Sequence, residues 1–388
     1  MSPERQPSVL PFVAAQPLID HHCHGVLRAG ADLAGLLSEA DGAATADGAP
    51  FDSLAGLAFR RWCPPLLGLE PHADISEYEK RREALGGDEV NRRFLEASGL
   101  AALCVDTGYT PADLLSPTET AAFAGAPAFE VVRLEQVAES LARSGAGPAD
   151  FPDAYRQALS ERVAAPSSGT RVVGFKSIAA YRVGLELEGR RPADREVVDA
   201  VARWLAGGIE SRLADEVLHR FFVWCAADLG LPIQFHVGYG DRDIDLNRCN
   251  PLLLTGLLRA LEPTGAPVML LHNYPYHREA GYLAQVFPFV YADLGLATHN
   301  VGARATAVLA EALELVPLRK FLFSSDAFGL PELYYLGTLL FRRALSAFLS
   351  SRLDADDLTY ADAERITNLI GGENARRAYR LPAQPGGS

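Results

Sequence analysis

Eight short apolar runs rich in β-branched residues punctuate this chain, and helical stretches lie between most of them. The runs are PLIDHHCH, LAALCVDTGY, FEVVRLE, TRVVGFKSI, LPIQFHVGYG, PVMLLHNYPY, FVYADLGLA and KFLFSSDAFG. Near-continuous apolar strands joined through amphipathic helices mark a parallel sheet covered by helices on its outer face. Eight such units fit a closed α/β architecture, the (β/α)8 barrel, better than an open doubly wound sheet. No GxGxxG or Walker sequence supports the open alternative. A length of 388 residues suits one large barrel with insertions, so residues 1–388 read as a single domain.

Two places depart from a minimal barrel. Residues 26–98, between the first and second runs, are polar and helix-prone. A connection this long in a compact domain is usually functional, and it hangs from the strand end where barrels place their chemistry. We therefore expect a lid or pocket wall, within which the low-complexity SEADGAATADGAP is mobile. Arg60, Arg61, Arg81 and Arg82 in this segment could reach an anionic substrate, although solvated helix faces explain most such pairs. The second departure lies between Lys176 and His236, where two helices stand in place of one.

A formal charge of −13 without a Lys/Arg stripe argues against nucleic-acid or anionic-membrane partners. It leaves a small-molecule substrate, with a homo-oligomer open. Five scattered cysteines without a CxxC pair read as reduced thiols. The apolar run near the N-terminus is too short and broken for a signal peptide. The expectation is a cytoplasmic protein.

Polar residues collect at the downstream ends of the runs, which face the mouth of a barrel. The first ends in His22 and His24, the fourth in Lys176, the fifth in His236, the sixth in His272 and the eighth in Asp326. Each has a bland explanation alone: a hydrogen-bonded core histidine, a helix cap, or a cation whose stem lies on the barrel. Six at one end of five strands are harder to dismiss. Strand alternation turns His22 and His24 to one face and His21 and Cys23 to the other. We expect Cys23 between strand and helices.

This constellation resembles the amidohydrolase superfamily of metal-dependent TIM barrels, and GFKSIAAYR most resembles its amidohydrolase-2 branch. IDHHCH is similar to that superfamily's Asp-x-His-x-His motif, and ITNLIGGENARRAYRL looks like its closing helix beneath the barrel. The resemblance implies a hydrolase holding one divalent ion on His22, His24, His236 and Asp326. Zinc suits such ligands best, with Mn or Fe accommodated. A divalent ion lowers the pKa of bound water from about 15.7 to about 7. Asp326 would accept the water's proton, and His272 would polarise a carbonyl or stabilise an oxyanion. Asp20 either orients a ligand imidazole or caps backbone.

Lys176 admits two readings. In some members of the superfamily the equivalent lysine is carboxylated and bridges two metals, with His236 and His272 on the second. Otherwise it stays an ammonium and binds a substrate carboxylate with Tyr181 and Arg182. We favour the one-metal reading. His299 is a candidate substrate contact, and Asp293 either lines the mouth or caps a turn. The expected reaction is cleavage of an amide or other C–N bond in a small carboxylate-bearing molecule, with a γ-glutamyl amide suggested by the branch alone. A decarboxylase or a uronate-type isomerase on the same barrel is the alternative. A catalytically idle binding barrel would have no need of the full ligand set.

Overall fold

The computed structural model describes residues 9–40, 49–110, 113–166 and 168–383. Strands β1 (Leu18–Cys23), β2 (Leu100–Asp106), β3 (Ala128–Arg133), β4 (Val172–Ser177), β5 (Ile233–Val237), β6 (Val268–His272) and β7 (Val290–Ala292) lie side by side in chain order. Every neighbouring pair is parallel. The first seven apolar runs thus supply one strand each. The eighth makes no regular strand, yet its backbone closes the ring. Leu322 N–H donates to the Ala292 carbonyl at 3.0 Å on one side. On the other, His21 N–H donates to Phe323 (3.1 Å), Asp326 N–H to His22 (3.0 Å) and His24 N–H to Ala327 (2.9 Å). Asp326 sits at φ 52°, a left-handed conformation that an extended ladder cannot contain, so the pairing is piecemeal. The molecule is a distorted (β/α)8 barrel.

Two apolar layers hold it together. Outward-facing strand residues such as Leu18, Leu103, Phe175 and Phe235 pack against the helices, and Cys23 is among them as expected. Ile19, Val131, Val173, Met269, Leu271 and Leu322 fill the interior. Tyr379, from the closing helix Asn374–Tyr379, joins that inner layer. The Asn374 amide donates to the carbonyls of Leu318 and Phe321, both at 2.8 Å, fastening the plug.

The segment after β1 divides in two. Helix Gly87–Ser98 buries Val90, Phe94 and Leu95 and packs on the long helix Pro331–Asp354, as an outer helix of the barrel does. The excess is therefore shorter than 26–98. Helix Ile75–Leu85 is tied down by buried Glu332, which accepts from Tyr78 Oη at 2.9 Å and Arg82 Nε at 2.8 Å. Arg81 donates to the Leu67 carbonyl at 2.9 Å, and Arg61 lies 4.4 Å over the Trp62 ring. These three arginines serve the fold, which corrects the anion-binding expectation for them. Residues 41–48 of the low-complexity stretch lie outside the described residues.

Between β4 and β5 stand the two expected helices, Asp194–Ala206 and Glu216–Asp228. All five cysteines are buried and unpaired. Among the described residues, no helix is long and apolar enough to cross a membrane.

Candidate metal centre

His22 is the best-determined member of the site, because its hydrogen bonds fix its tautomer. The Gln234 amide nitrogen donates to the His21 carbonyl and to Tyr379 Oη, both at 2.8 Å. That leaves Gln234 Oε1 facing His22 Nδ1 at 2.8 Å, and an amide oxygen only accepts. His22 Nδ1 therefore carries the proton, and Nε2 presents a lone pair. That lone pair lies 2.9 Å from Asp326 Oδ1 and 3.2 Å from Lys176 Nζ. His24 Nε2 reaches the same Asp326 oxygen at 3.3 Å. Ligand atoms of His22, His24 and Asp326 all lie within 4.8 Å of one another. A neutral imidazole lone pair set against a carboxylate oxygen calls for a cation between them.

Electrostatics keep His22 and Asp326 in that state. Burial, then the charge of Lys176, pushes the His22 pKa down to about 4. Burial opposes ionisation of Asp326, but facing His272, His22 and His24 hold it well below the usual carboxylate range. Burial likewise drives His236 and His272 well below an ordinary imidazole. Burial lowers Lys176 to about 8 against the opposing pull of Asp326 and Asp106.

His236 stands just outside the tight group, its ring 4.6 Å from those of His272 and Tyr181. Its Nε2 is buried without a hydrogen-bond partner among the described residues, as are both ring nitrogens of His272. Gly240 keeps the approach to His236 open, for a Cβ there would sit 3.0 Å from Nε2 and 2.5 Å from Tyr181 Oη. Gly295 does the same for His272: its Cβ would fall 2.3 Å from Nδ1. His272, Asn273 and Asp326 all have positive φ, a strained state that functional sites commonly retain. Orphaned nitrogens, neutral imidazoles and an ionised carboxylate fit a divalent ion.

The other expected residues fall as follows. His21 follows Ile19 inward, and strict alternation breaks between His21 and Cys23, within the register shift of β1. Its ring turns into the barrel interior instead of toward the helices, held by Tyr379 Oη at 2.9 Å and Asp293 Oδ2 at 2.7 Å. Asp293 neither lines the mouth nor caps a turn. It accepts from the His272 backbone N–H at 2.6 Å and from Ser324 Oγ at 2.6 Å. Asp20 takes its backbone role, accepting from Ser325 N–H at 2.9 Å beside Asp326, and burial raises it to about 7. His299 is buried with Nδ1 unpartnered among the described residues, and burial lowers it to about 4. Tyr181 lies against His236, whereas half-buried Arg182 is placed electrostatically among Arg212, Glu139 and Glu135.

Sequence reasoning missed three residues that support the site. Asp106, ending β2, lies 3.8 Å from His24 Nδ1 and pairs with Arg133, ending β3, at 2.6 Å. Burial works against the Asp106 charge, yet Arg133 and then His24 hold its pKa well below normal. Both ended runs already recognised, so the rule that found Lys176 applied to them equally. Gln234 showed itself only as an amide inside an apolar strand. A further carboxyl, Glu39 after β1, is raised to about 7 by burial and then by the charges of Asp326 and Asp241.

Comparison with known proteins agrees with this geometry. The amidohydrolase family pattern matches residues 135–381. A structure named as a metal-dependent hydrolase from Lactobacillus casei is 32% identical, covers 95% of this chain and 96% of its own, and superposes with a TM-score of 0.82. The uronate isomerase of Bacillus halodurans shares the fold at 15% identity, with a TM-score of 0.61 over 96% of this chain and 95% of its own. Protein fluG of Emericella nidulans is 30% identical over 96% of this chain, which spans 47% of that protein's length. The chain belongs to the amidohydrolase family, and its family and solved relative imply a divalent metal.

Proposed function

We propose that this protein is a metal-dependent hydrolase that cleaves an amide or related C–N bond of a small carboxylate-bearing molecule. The observation that carries the reading is the convergence of one ligand atom each from His22, His24 and Asp326 within 4.8 Å of one another, with the lone pair of His22 Nε2 turned into the cluster. One ion, zinc by ligand type, would be held by these three with His236 completing the set. When bound, it supplies Lewis-acid polarisation and a water acidic enough to ionise near neutral pH.

The chain's own groups account for the remaining work. Asp326, ionised and at the centre, accepts a proton at its carboxylate and returns it to the leaving nitrogen. Neutral His272 offers a ring nitrogen to oxygen charge that develops on the substrate carbonyl. Lys176, largely protonated at neutral pH, receives the substrate's polar groups with Tyr181, Arg182 and His299. Asp106, paired with Arg133, lies 3.8 Å from His24 Nδ1 and places a neutralised pair beside that ring. A screen of amides, lactones and aromatic acids against metal-loaded protein tests the reading: amide turnover supports it, and release of CO2 from an aromatic acid would replace it with decarboxylation.

Metal number gives a separate expectation. With Lys176 uncarboxylated, stripping and reloading should restore activity without bicarbonate, at roughly one ion per chain. Two ions, together with recovery that depends on bicarbonate, would overturn the one-metal reading.

A further inference from the structure

A cleft of about 470 Å³ opens where the segment after β1 meets the loops after β5, β6 and β7. Leu37, Pro50 and Leu54 form one wall, and Val301 and Val308 face them. Tyr239 and Tyr274, close after His236 and His272, also line it, and their loops are joined by a Tyr239 N–H to Tyr274 carbonyl bond of 2.6 Å. The short helix Ala297–Asn300 serves both places. His299 on it is buried and feels the Asp326 charge, while Ala297 and Asn300 line the cleft. The cleft therefore adjoins the loops that follow His236 and His272 and shares this helix with His299.

Its charge is arranged for an anion. Arg304 lines the cleft, is exposed, and has no carboxylate partner among the described residues. The acid nearest in the lining, Glu311, is already engaged, by His277 at 2.8 Å and Arg278 at 3.6 Å. On a chain of net charge −13, Arg304 places a guanidinium without a carboxylate partner in a cleft whose lining mixes apolar and polar groups.

We infer that this cleft receives the remote end of the substrate, an apolar stem ending in a carboxylate that Arg304 binds. The inference rests on the reading of the metal centre as the reaction site, and it adds where the carboxylate of that substrate goes. Arginine matches a carboxylate with two parallel N–H donors, whereas a neutral amide offers it a single oxygen.

Calorimetric titration of 4-phenylbutyrate and 4-phenylbutyramide into the metal-loaded full chain tests this without turnover. Wild type should bind the acid at least ~10-fold more tightly than the amide, the scale of one charge-assisted bidentate pair. The ratio should fall to near one in Arg304→Met, which keeps the stem and removes the charge. It should be largely kept in Arg304→Lys and in the metal-free wild-type protein. Acid preference that survives in Arg304→Met, or wild type that does not prefer the acid, would overturn the proposal. Loss of preference in the metal-free protein alone would overturn it too, by assigning the carboxylate to the metal centre. Because binding is read directly, none of these results depends on whether the bond cleaved is an amide.

Discussion

Alanine at both His22 and His24 is expected to strip the protein of tightly bound divalent metal, from about one ion per chain to under about a tenth, by elemental mass spectrometry. The two imidazoles are the rigid half of the centre. His22 is locked by Gln234 at 2.8 Å, and the His24 ring is flanked by Asp106 at 3.8 Å. Asp326 and His236 alone would offer a carboxylate and one imidazole, too few ligands for retention through dialysis. The control is His21→Ala. His21 is the first histidine of the same four-residue stretch, yet its ring bonds Tyr379 and Asp293 inside the barrel. Its removal leaves buried Asp293 short of a partner, which costs on the order of 1–3 kcal/mol. Folding stability should fall while metal content stays near wild type. Full metal occupancy in the double variant would sink the strand-1 assignment, and loss of metal in His21→Ala with the fold intact would reassign the ligands.

The contrast among these histidines shows how far the sequence reaches. Period-2 alternation paired His22 with His24, and the structure brings both to Asp326. The same rule sent His21 outward, and there it failed. A register shift within β1 is a property of how one strand meets its neighbour, and hydrophobic pattern carries no trace of it. The eighth run illustrates a related limit. Its apolar residues announced a stave, but the left-handed backbone at Asp326 that breaks the ladder depends on the closed ring around it. Asp106 and Arg133 were legible in type and position, each at the end of a run, but their pairing beside His24 is set by how β1, β2 and β3 meet. Helix Gly87–Ser98 was absorbed into the insertion for the opposite reason. Its amphipathic pattern was visible, but which face it covers is decided by the long helix Pro331–Asp354, far away in the chain.

Asp326→Asn separates a proton acceptor from a structural residue. Asparagine keeps the size and one ligating oxygen of aspartate, and it tolerates a left-handed backbone about as well, so the φ of 52° does not oppose it. What it loses is basicity. Asp326 is held well below the ordinary carboxylate range by His272, His22 and His24, against its burial, so the wild-type group is ionised at neutral pH. If it takes the proton, the variant should keep its fold and much of its metal while kcat falls by at least ~10²-fold, the usual scale for a positioned proton-transfer group. KM should change much less, because the missing interaction belongs to the transition state. Raising the pH toward about 9 should recover part of the loss, since hydroxide from solution then replaces the absent base, whereas wild type should gain little. A helix cap or backbone anchor would behave differently, because asparagine caps about as well as aspartate. Near-wild-type turnover in this variant, at any metal content, would remove Asp326 from the chemistry and leave the barrel's reaction to another base.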